Sequence, residues 1–151
     1  MKIREIALAL ALVGLFSPAA RADLPGRHPG YLHALSDLRA ARWDLEHRPG
    51  DAFVSREEDF ALAEIDRAIN EAKQAAIEDG KNLRDRPPQD ARINHGGRLH
   101  HAMQLLRQAR NDVAREEDNP QARNLRNRIV QHIDAAIGAT GRAIREVERR
   151  R

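Results

Sequence analysis

The chain matches itself without a gap when it is slid by 68 positions. His33-Ala34 falls on His101-Ala102, Leu38-Arg39 on Leu106-Arg107, and Ala41-Arg42 on Ala109-Arg110. Asp44 falls on Asp112, Ile65-Asp66 on Ile133-Asp134, and Ala68-Ile69 on Ala136-Ile137. A fixed offset that survives across two helical patterns and the loop between them marks a duplicated helical hairpin, about residues 31–78 and 99–146. Each hairpin carries an apolar stripe that only another helix pair can cover. The expected fold is therefore all-α, an antiparallel four-helix bundle made of two duplicated helical hairpins. An up-down-up-down course is the simplest expectation for it.

The first residues stand outside this pattern. Lys2 and Arg4 give a positive start, Ile6 to Phe16 is apolar, and Ala20-Arg21-Ala22 has the form of a cleavage site. Residues 1–22 read as a secretory signal, with an apolar core too short to span a membrane. Residues 23–151 then form a single domain that leaves the cytoplasm for the periplasm or the medium, with no membrane insertion after cleavage. No Cys follows the apolar run, which argues against a lipid anchor.

Removing the signal changes the charge argument. It carries Lys2, Arg4 and Arg21 against Glu5, a net of +2 out of the chain's +3, so the exported part keeps only +1. Dense but balanced charge gives solubility, whereas nucleic-acid binding needs positive charge gathered on one face. No nucleic-acid partner is expected.

The absence of cysteine excludes disulfides, thiolate metal sites and iron–sulfur clusters. Beyond residue 22 the only hydroxyls are Tyr31, Ser36, Ser55 and Thr140, with no Gly-flanked nucleophile elbow. Hydrolases that use an activated hydroxyl or thiol are excluded on this ground. No phosphate loop and no cofactor motif is present.

Apolar spacing places the helices. Tyr31, Leu35, Leu38, Ala41 and Leu45 define the first, from Pro29 to about His47, with Pro29 suited to its first turn and Pro49-Gly50 as its stop. Ser55 with Glu58 has the form of a capping box opening the second, which carries Leu62, Ile65, Ile69, Ala72 and Ala76 to a stop at Gly80. The longest loop follows, from Asp85 to Gly96-Gly97. Leu99, Ala102, Met103, Leu106, Ala109 and Val113 mark the third helix. Asn119-Pro120 is a start signal for the fourth, whose stripe runs through Leu125, Ile129, Ile133, Ile137, Thr140, Ile144 and Val147. Gly138 and Gly141 interrupt this helix, a pattern that fits close contact with a neighbour. Trp43, the only tryptophan, is expected in the core, and its repeat mate is Asn111.

Two constellations stand out. In an up-down-up-down bundle, helices one and three start at the same end, which gathers His28, His33, His95, His100 and His101 there, five of the chain's seven histidines. Imidazoles with Asp37, one turn after His33, would form an open nitrogen and oxygen site for Cu, Ni or Zn. His100 and His101 diverge by about 100°, at about 3.6 residues per turn, which works against both facing one ion. The second constellation is the duplicated charges. Arg39 with Asp66, and Arg107 with Asp134, sit on matching shoulders of their helices and are expected to form equivalent salt bridges within each hairpin. Arg42 and Arg110 project close to the apolar stripe, which suits either a snorkelling role at the core edge or an anion site lined by both.

The segment His28-Pro29-Gly30-Tyr31-Leu32-His33-Ala34-Leu35-Ser36-Asp37-Leu38-Arg39 resembles one from a family of small exported bacterial four-helix proteins. Asp79-Gly80-Lys81-Asn82-Leu83 and Arg115-Glu116-Glu117-Asp118-Asn119-Pro120 fit the same resemblance, which covers nearly all of residues 23–151 and implies export without implying an activity. In general plan the chain is also similar to small histidine-rich periplasmic metal-binding bundles. Those repeat histidine throughout their helices, whereas here only His33/His101 is duplicated, so no ligand set carries over.

By subtraction, the sequence reads as an exported non-catalytic bundle that acts by binding a protein partner or by self-association, with no cofactor. The alternative is a low-affinity handler of copper, nickel or zinc at the histidine-rich end.

Overall fold

The computed structural model describes residues 29–47, 55–78, 83, 95–116 and 123–150. The signal expected over 1–22, the start at Asp23, His28, and the helix signals at Pro49-Gly50, Gly80 and Asn119-Pro120 lie outside the described residues. Four helices form: α1 (Pro29–Glu46), α2 (Arg56–Glu78), α3 (His95–Arg115) and α4 (Arg123–Arg149). No strand occurs among the described residues, and the fold is the all-α four-helix bundle that the repeat requires.

Local chemistry sets the helix ends. α1 starts at Pro29, whose missing N–H belongs to a turn that has no intrahelical acceptor for it. The capping box forms at α2: the Ser55 Oγ accepts from the Glu58 N–H at 3.1 Å, and the Ser55 N–H donates back to Glu58 Oε1 at 3.3 Å. Both residues are buried, so the box closes the end of the core as well as the helix. α3 departs from expectation by starting at His95, with Gly96 and Gly97 in its first turn rather than in the preceding loop. Glycine is tolerated there because the first-turn N–H groups make no intrahelical bond.

The helices form a ring in the order α1–α2–α4–α3, and α1 packs on α3, and α2 on α4, more extensively than the helices within either hairpin pack on each other. Directions follow from paired residues. Gly30, at the start of α1, donates its N–H to Glu116 just beyond α3, while Asp44 near the end of α1 meets His101 near the start of α3. Likewise Glu57 meets Arg142, and Glu71 meets Arg128. Neighbours around the ring are all antiparallel, and the course is up-down-down-up, which replaces the expected up-down-up-down order.

The two hairpins are therefore related by a pseudo-two-fold axis perpendicular to the helices. Equivalent stripes face each other across it, Leu38 against Leu106 on one side and Ile65 against Ile133 on the other, all fully buried. The longest loop makes this docking possible. α2 ends and α3 begins at opposite ends of the bundle, and residues 79–94, at up to about 3.3 Å each, can retrace helices that rise only about 1.5 Å per residue. Leu83, the described residue between α2 and α3, packs against the core, and its carbonyl accepts from Arg39 in the middle of α1 at 2.8 Å.

The stripe positions form the core, with Tyr31, Leu35, Leu38, Leu45, Ile65, Leu99, Leu106, Ile129 and Ile133 all essentially inaccessible. Leu62, Ile137, Ile144 and Val147 are only partly buried and flank it. Alanines at 68, 72, 75, 76, 136, 139 and 143 are fully buried, which brings α2 and α4 close together. The α4 glycines do not serve that approach. Gly138 is exposed, and a methyl group added there would meet only the tip of Arg142 at 3.5 Å. At Gly141 it would meet the Met103 terminal methyl at 3.4 Å, an ordinary contact. Gly30 is the position where helices do come too close for a side chain, since a Cβ would lie 2.6 Å from the Asp112 carbonyl.

Candidate functional site

The α1–α3 interface contains two seams that the pseudo-two-fold makes equivalent, and they have diverged. At the first, the end of α1 meets the start of α3. Asp44 is buried, and one of its carboxylate oxygens lies 2.7 Å from the His101 Nδ1. Trp43 lies over this seam, not in the core, with its ring stacked on His47 at 4.2 Å between centroids and 18° between planes. Arg98 is buried, holds its guanidinium 5.0 Å above the Trp43 ring, and donates to the His47 carbonyl at 2.7 Å. A cation stacked on an indole and hydrogen-bonded at its edge fills this seam.

At the second seam the start of α1 meets the end of α3. His33 stands for His101 and Asp112 for Asp44, but Asn111 replaces Trp43 and Gly30 replaces Arg98. The two large fillers are gone, and a cavity of about 400 Å³ opens there. His33, Ser36 and Asp37 line it from α1, and Gln108, Asn111, Asp112 and Arg115 line it from α3. Every described lining side chain is polar or charged. Glu116 borders the same end: its carboxylate accepts the Gly30 N–H and so caps α1, where a negative group also complements the helix dipole.

The described histidines of the expected cluster do not gather. His33 lies at the start of α1 and His95, His100 and His101 at the start of α3, and the antiparallel packing of these helices sets them at opposite ends of the bundle. The Asp44 that meets His101 is about 16 Å along the helix from His33, at about 1.5 Å per residue. His100 faces Glu148 near the end of α4, with 4.0 Å between the nearest atoms. Asp37 shares the cavity with His33, but among the described residues no group of three or more His, Asp or Glu side chains is arranged to hold a metal ion. The expected common histidine end depended on the up-down-up-down order and falls with it.

The duplicated salt bridges form, but with other arginines. Asp66 accepts from Arg42 Nε at 2.7 Å, and Asp134 accepts from Arg110 Nε at 2.5 Å with a second contact at 3.3 Å. Arg39, the expected partner of Asp66, instead reaches the Leu83 carbonyl, and Arg107 is exposed. Arg39 and Arg42 lie nearly one turn apart on the same shoulder, and the register of the hairpin brings the later one to the acid. The hydrogen bond that Arg42 donates to Asp66 raises the guanidinium above the ordinary arginine range, against a lowering from partial burial. Asp134 acts on Arg110 in the same way. Both arginines serve as hairpin clasps on separate faces, so they do not line a shared anion site.

On the opposite side of the bundle, Glu64 and His132 meet across the axis with 2.6 Å between carboxylate and Nδ1. Glu64 also pairs with Arg67, and Glu71 approaches the other ring nitrogen of His132 at 3.9 Å. Arg128 and Arg142 are likewise matched with Glu71 and Glu57. These pairs neutralise the arginine shoulders of α4. Phe60 and Ile77 are exposed at opposite ends of α2 and form no common patch. None of the described helices is long and apolar enough to cross a membrane.

Comparison with known proteins adds no assignment: no family model, no curated protein and no solved structure matches the chain.

Of the residues singled out in the sequence, the cavity brings together His33 and Asp37 alone. Ser36, Gln108, Asn111, Asp112 and Arg115 were not anticipated. Their signal lies in the repeat, at positions where a large or apolar residue in one copy faces a small or polar one in the other: Trp43/Asn111, Arg98/Gly30, Leu105/Asp37 and Ala40/Gln108.

The chemistry available at the cavity is hydrogen bonding and charge. Ser36 and His33 share it without a hydrogen bond between them, so the nucleophile–base contact that activates a hydroxyl is not formed.

Proposed function

We propose that this is an exported, non-catalytic binding protein that holds a small polar molecule in the cleft between the start of α1 and the end of α3. One observation carries this reading: the cavity is the counterpart of a seam that the protein fills with its own side chains. Where the other seam holds Trp43 and Arg98, this one has Asn111 and Gly30, and the seven described residues that line the cavity are all polar or charged. At about 400 Å³ it falls near the small end of known ligand pockets, roughly 300–1,000 Å³. The polar lining supports a hydrophilic ligand. The signal-like segment at 1–22 supports export to the periplasm or medium.

Amide chemical-shift mapping tests the reading, using neutral sugars, organic acids, amino acids and polyamines as probes. Saturable shifts at His33, Ser36, Asn111 and Asp112, with Asp44 and His101 unmoved, are expected. Absence of any shift at the cavity, or saturable turnover of a probe, overturns it. Export is tested by mass spectrometry of the secreted chain, which is expected to begin at Asp23.

A further inference from the structure

Each hairpin has an outer face where its two helices meet, turned away from the other hairpin. In the second hairpin two contacts fix the register of that face. Met103 of α3 stands against Gly141 of α4, where an added methyl would meet its terminal methyl at 3.4 Å, and Arg110 bonds Asp134 at 2.5 Å. Arg107 lies between Met103 and Arg110, and Gly138 lies between Gly141 and Asp134, so Arg107 stands opposite Gly138. The same rung in the first hairpin is Arg39 opposite Asn70.

The first rung is covered by the chain itself. Leu83 packs against the core, and its main-chain carbonyl accepts from Arg39 at 2.8 Å. Arg39 is half-buried there, and Ile69 is buried. The second rung is open. Arg107 and Gly138 are exposed, and Ile137, the mate of Ile69, is only half-buried. Arg145 arches back over Gly141, with a guanidinium nitrogen 3.6 Å from the place of a Cβ. Among the described residues, no hydrogen bond or ion pair engages Arg107 or Arg145. The acids of this face are occupied, Asp134 by Arg110, with Glu148 facing His100.

We infer that the outer face of α3 and α4 docks an acidic peptide segment with an apolar anchor, seated as Leu83 is seated on the first hairpin. Arg107 donates to a main-chain carbonyl of the segment, as Arg39 does to Leu83. The anchor side chain rests on the bare step at Gly138 and shields Ile137. Arg145 meets a carboxylate of the segment, and such charge-assisted bonds are stronger than neutral ones. Main-chain bonds supply affinity in this mode and the anchor supplies selectivity. The face is separate from the cavity, and neither reading depends on the other.

Fluorescence anisotropy with a labelled octapeptide, paired with amide shift mapping on the intact protein, tests the inference. The probe is the sequence of residues 78–85 with Lys81→Glu and Arg84→Glu, an acidic stretch that keeps Leu83 as its anchor. Saturable binding is expected, with shifts at Arg107, Gly138 and Arg145 and none at Arg39 or Asn70. Arg107→Ala is expected to weaken it about fivefold or more, through loss of one hydrogen bond from a charged group. Gly138→Phe, which fills the bare step at an exposed position, is expected to abolish binding with an unchanged circular dichroism spectrum. A probe carrying Leu83→Ser, or one with its acids replaced by lysine, is expected to bind about tenfold more weakly. No binding, or shifts at Arg39 and Asn70 in place of Arg107 and Gly138, overturns the inference. Binding that survives both Arg107→Ala and Gly138→Phe does the same. Inorganic polyphosphate or the Leu83→Ser probe binding as tightly as the acidic probe would reveal a surface that merely collects anions, which also overturns it. All of these outcomes leave the reading of the cavity untouched, because its probes and its reporting residues are different.

Discussion

Glu64 and His132 are 68 positions apart in sequence and 2.6 Å apart in space. The separation equals the repeat offset, so each is the other's equivalent, and the pseudo-two-fold axis passes between them. In an arrangement with identical halves this position would oppose a residue to itself. An acid facing an acid there would be repelled in a buried setting, since Glu64 is only 7% exposed. Divergence of the two copies has turned a self-opposed position into a complementary pair.

This relationship gives a specific expectation for charge swaps. His132→Glu, which sets two acids against each other, is expected to destabilise by about 1–3 kcal/mol, the range for an unsatisfied buried polar group. Glu64→His alone is expected to cost a similar amount. The double swap restores an acid–imidazole pair across the axis and is expected to recover most of the loss. Urea unfolding of the three variants measures this. A double mutant as unstable as the sum of the singles would show that the surrounding Arg67 and Glu71, not the axis, determine the pairing.

The clasps of the two hairpins offer a second test. Both pairs are partly exposed, at 36% and 49% for Arg42 and Asp66, which limits each to about 0–1 kcal/mol. Asp66→Ala and Asp134→Ala are therefore expected to have equally small effects. A double-mutant cycle is expected to find coupling of Asp66 to Arg42 and none to Arg39, whose guanidinium is engaged at Leu83. Coupling to Arg39 instead would contradict the observed hairpin register.

Glycine substitutions separate the two ends of the fold. Gly138→Ala is expected to stabilise the protein by about 1 kcal/mol, because an exposed helix interior gains propensity and the added methyl meets only a mobile side-chain tip. Gly30→Ala places the same methyl against the Asp112 carbonyl and Glu116 and is expected to destabilise by about 1–3 kcal/mol. Thermal melts that move in the same direction for both would count against the packing described at the start of α1.

At the start of α2, Ser55→Ala removes the side-chain acceptor of the Glu58 N–H, which keeps the Ser55 carbonyl at 3.0 Å, and is expected to cost about 1 kcal/mol. Ser55→Asp keeps an acceptor and is expected to retain the fold with a smaller loss. Equal losses in denaturant titrations would indicate that burial of the serine, rather than capping, is what matters.

What could be read from the sequence divides along a physical line. Properties internal to one hairpin were legible: the stripe from Tyr31 to Leu45, the capping box, and the existence of a duplicated clasp all depend on residues a few turns apart. Docking of one hairpin on the other was not, because either order of helices buries the same leucines and isoleucines. The histidine grouping failed for that reason alone. The choice between Arg39 and Arg42 turned on a difference in register smaller than one helical turn, which periodicity does not specify. The cavity lies on the seam between hairpins and shared the same obscurity, although the Trp43/Asn111 mismatch pointed toward it.

The length of sequence between α2 and α3 has a further meaning under the two-fold. The axis that carries α1 onto α3 also carries the step from α2 to α3 onto an imagined step from α4 back to α1. A linker of the same length between Arg149 and Pro29, with the chain opened within 79–94, would therefore trace the same ring of helices in a rotated order. Such a circular permutant begins with the hairpin that now comes second. Under the pseudo-two-fold, either hairpin can come first in the chain and the same ring of helices results.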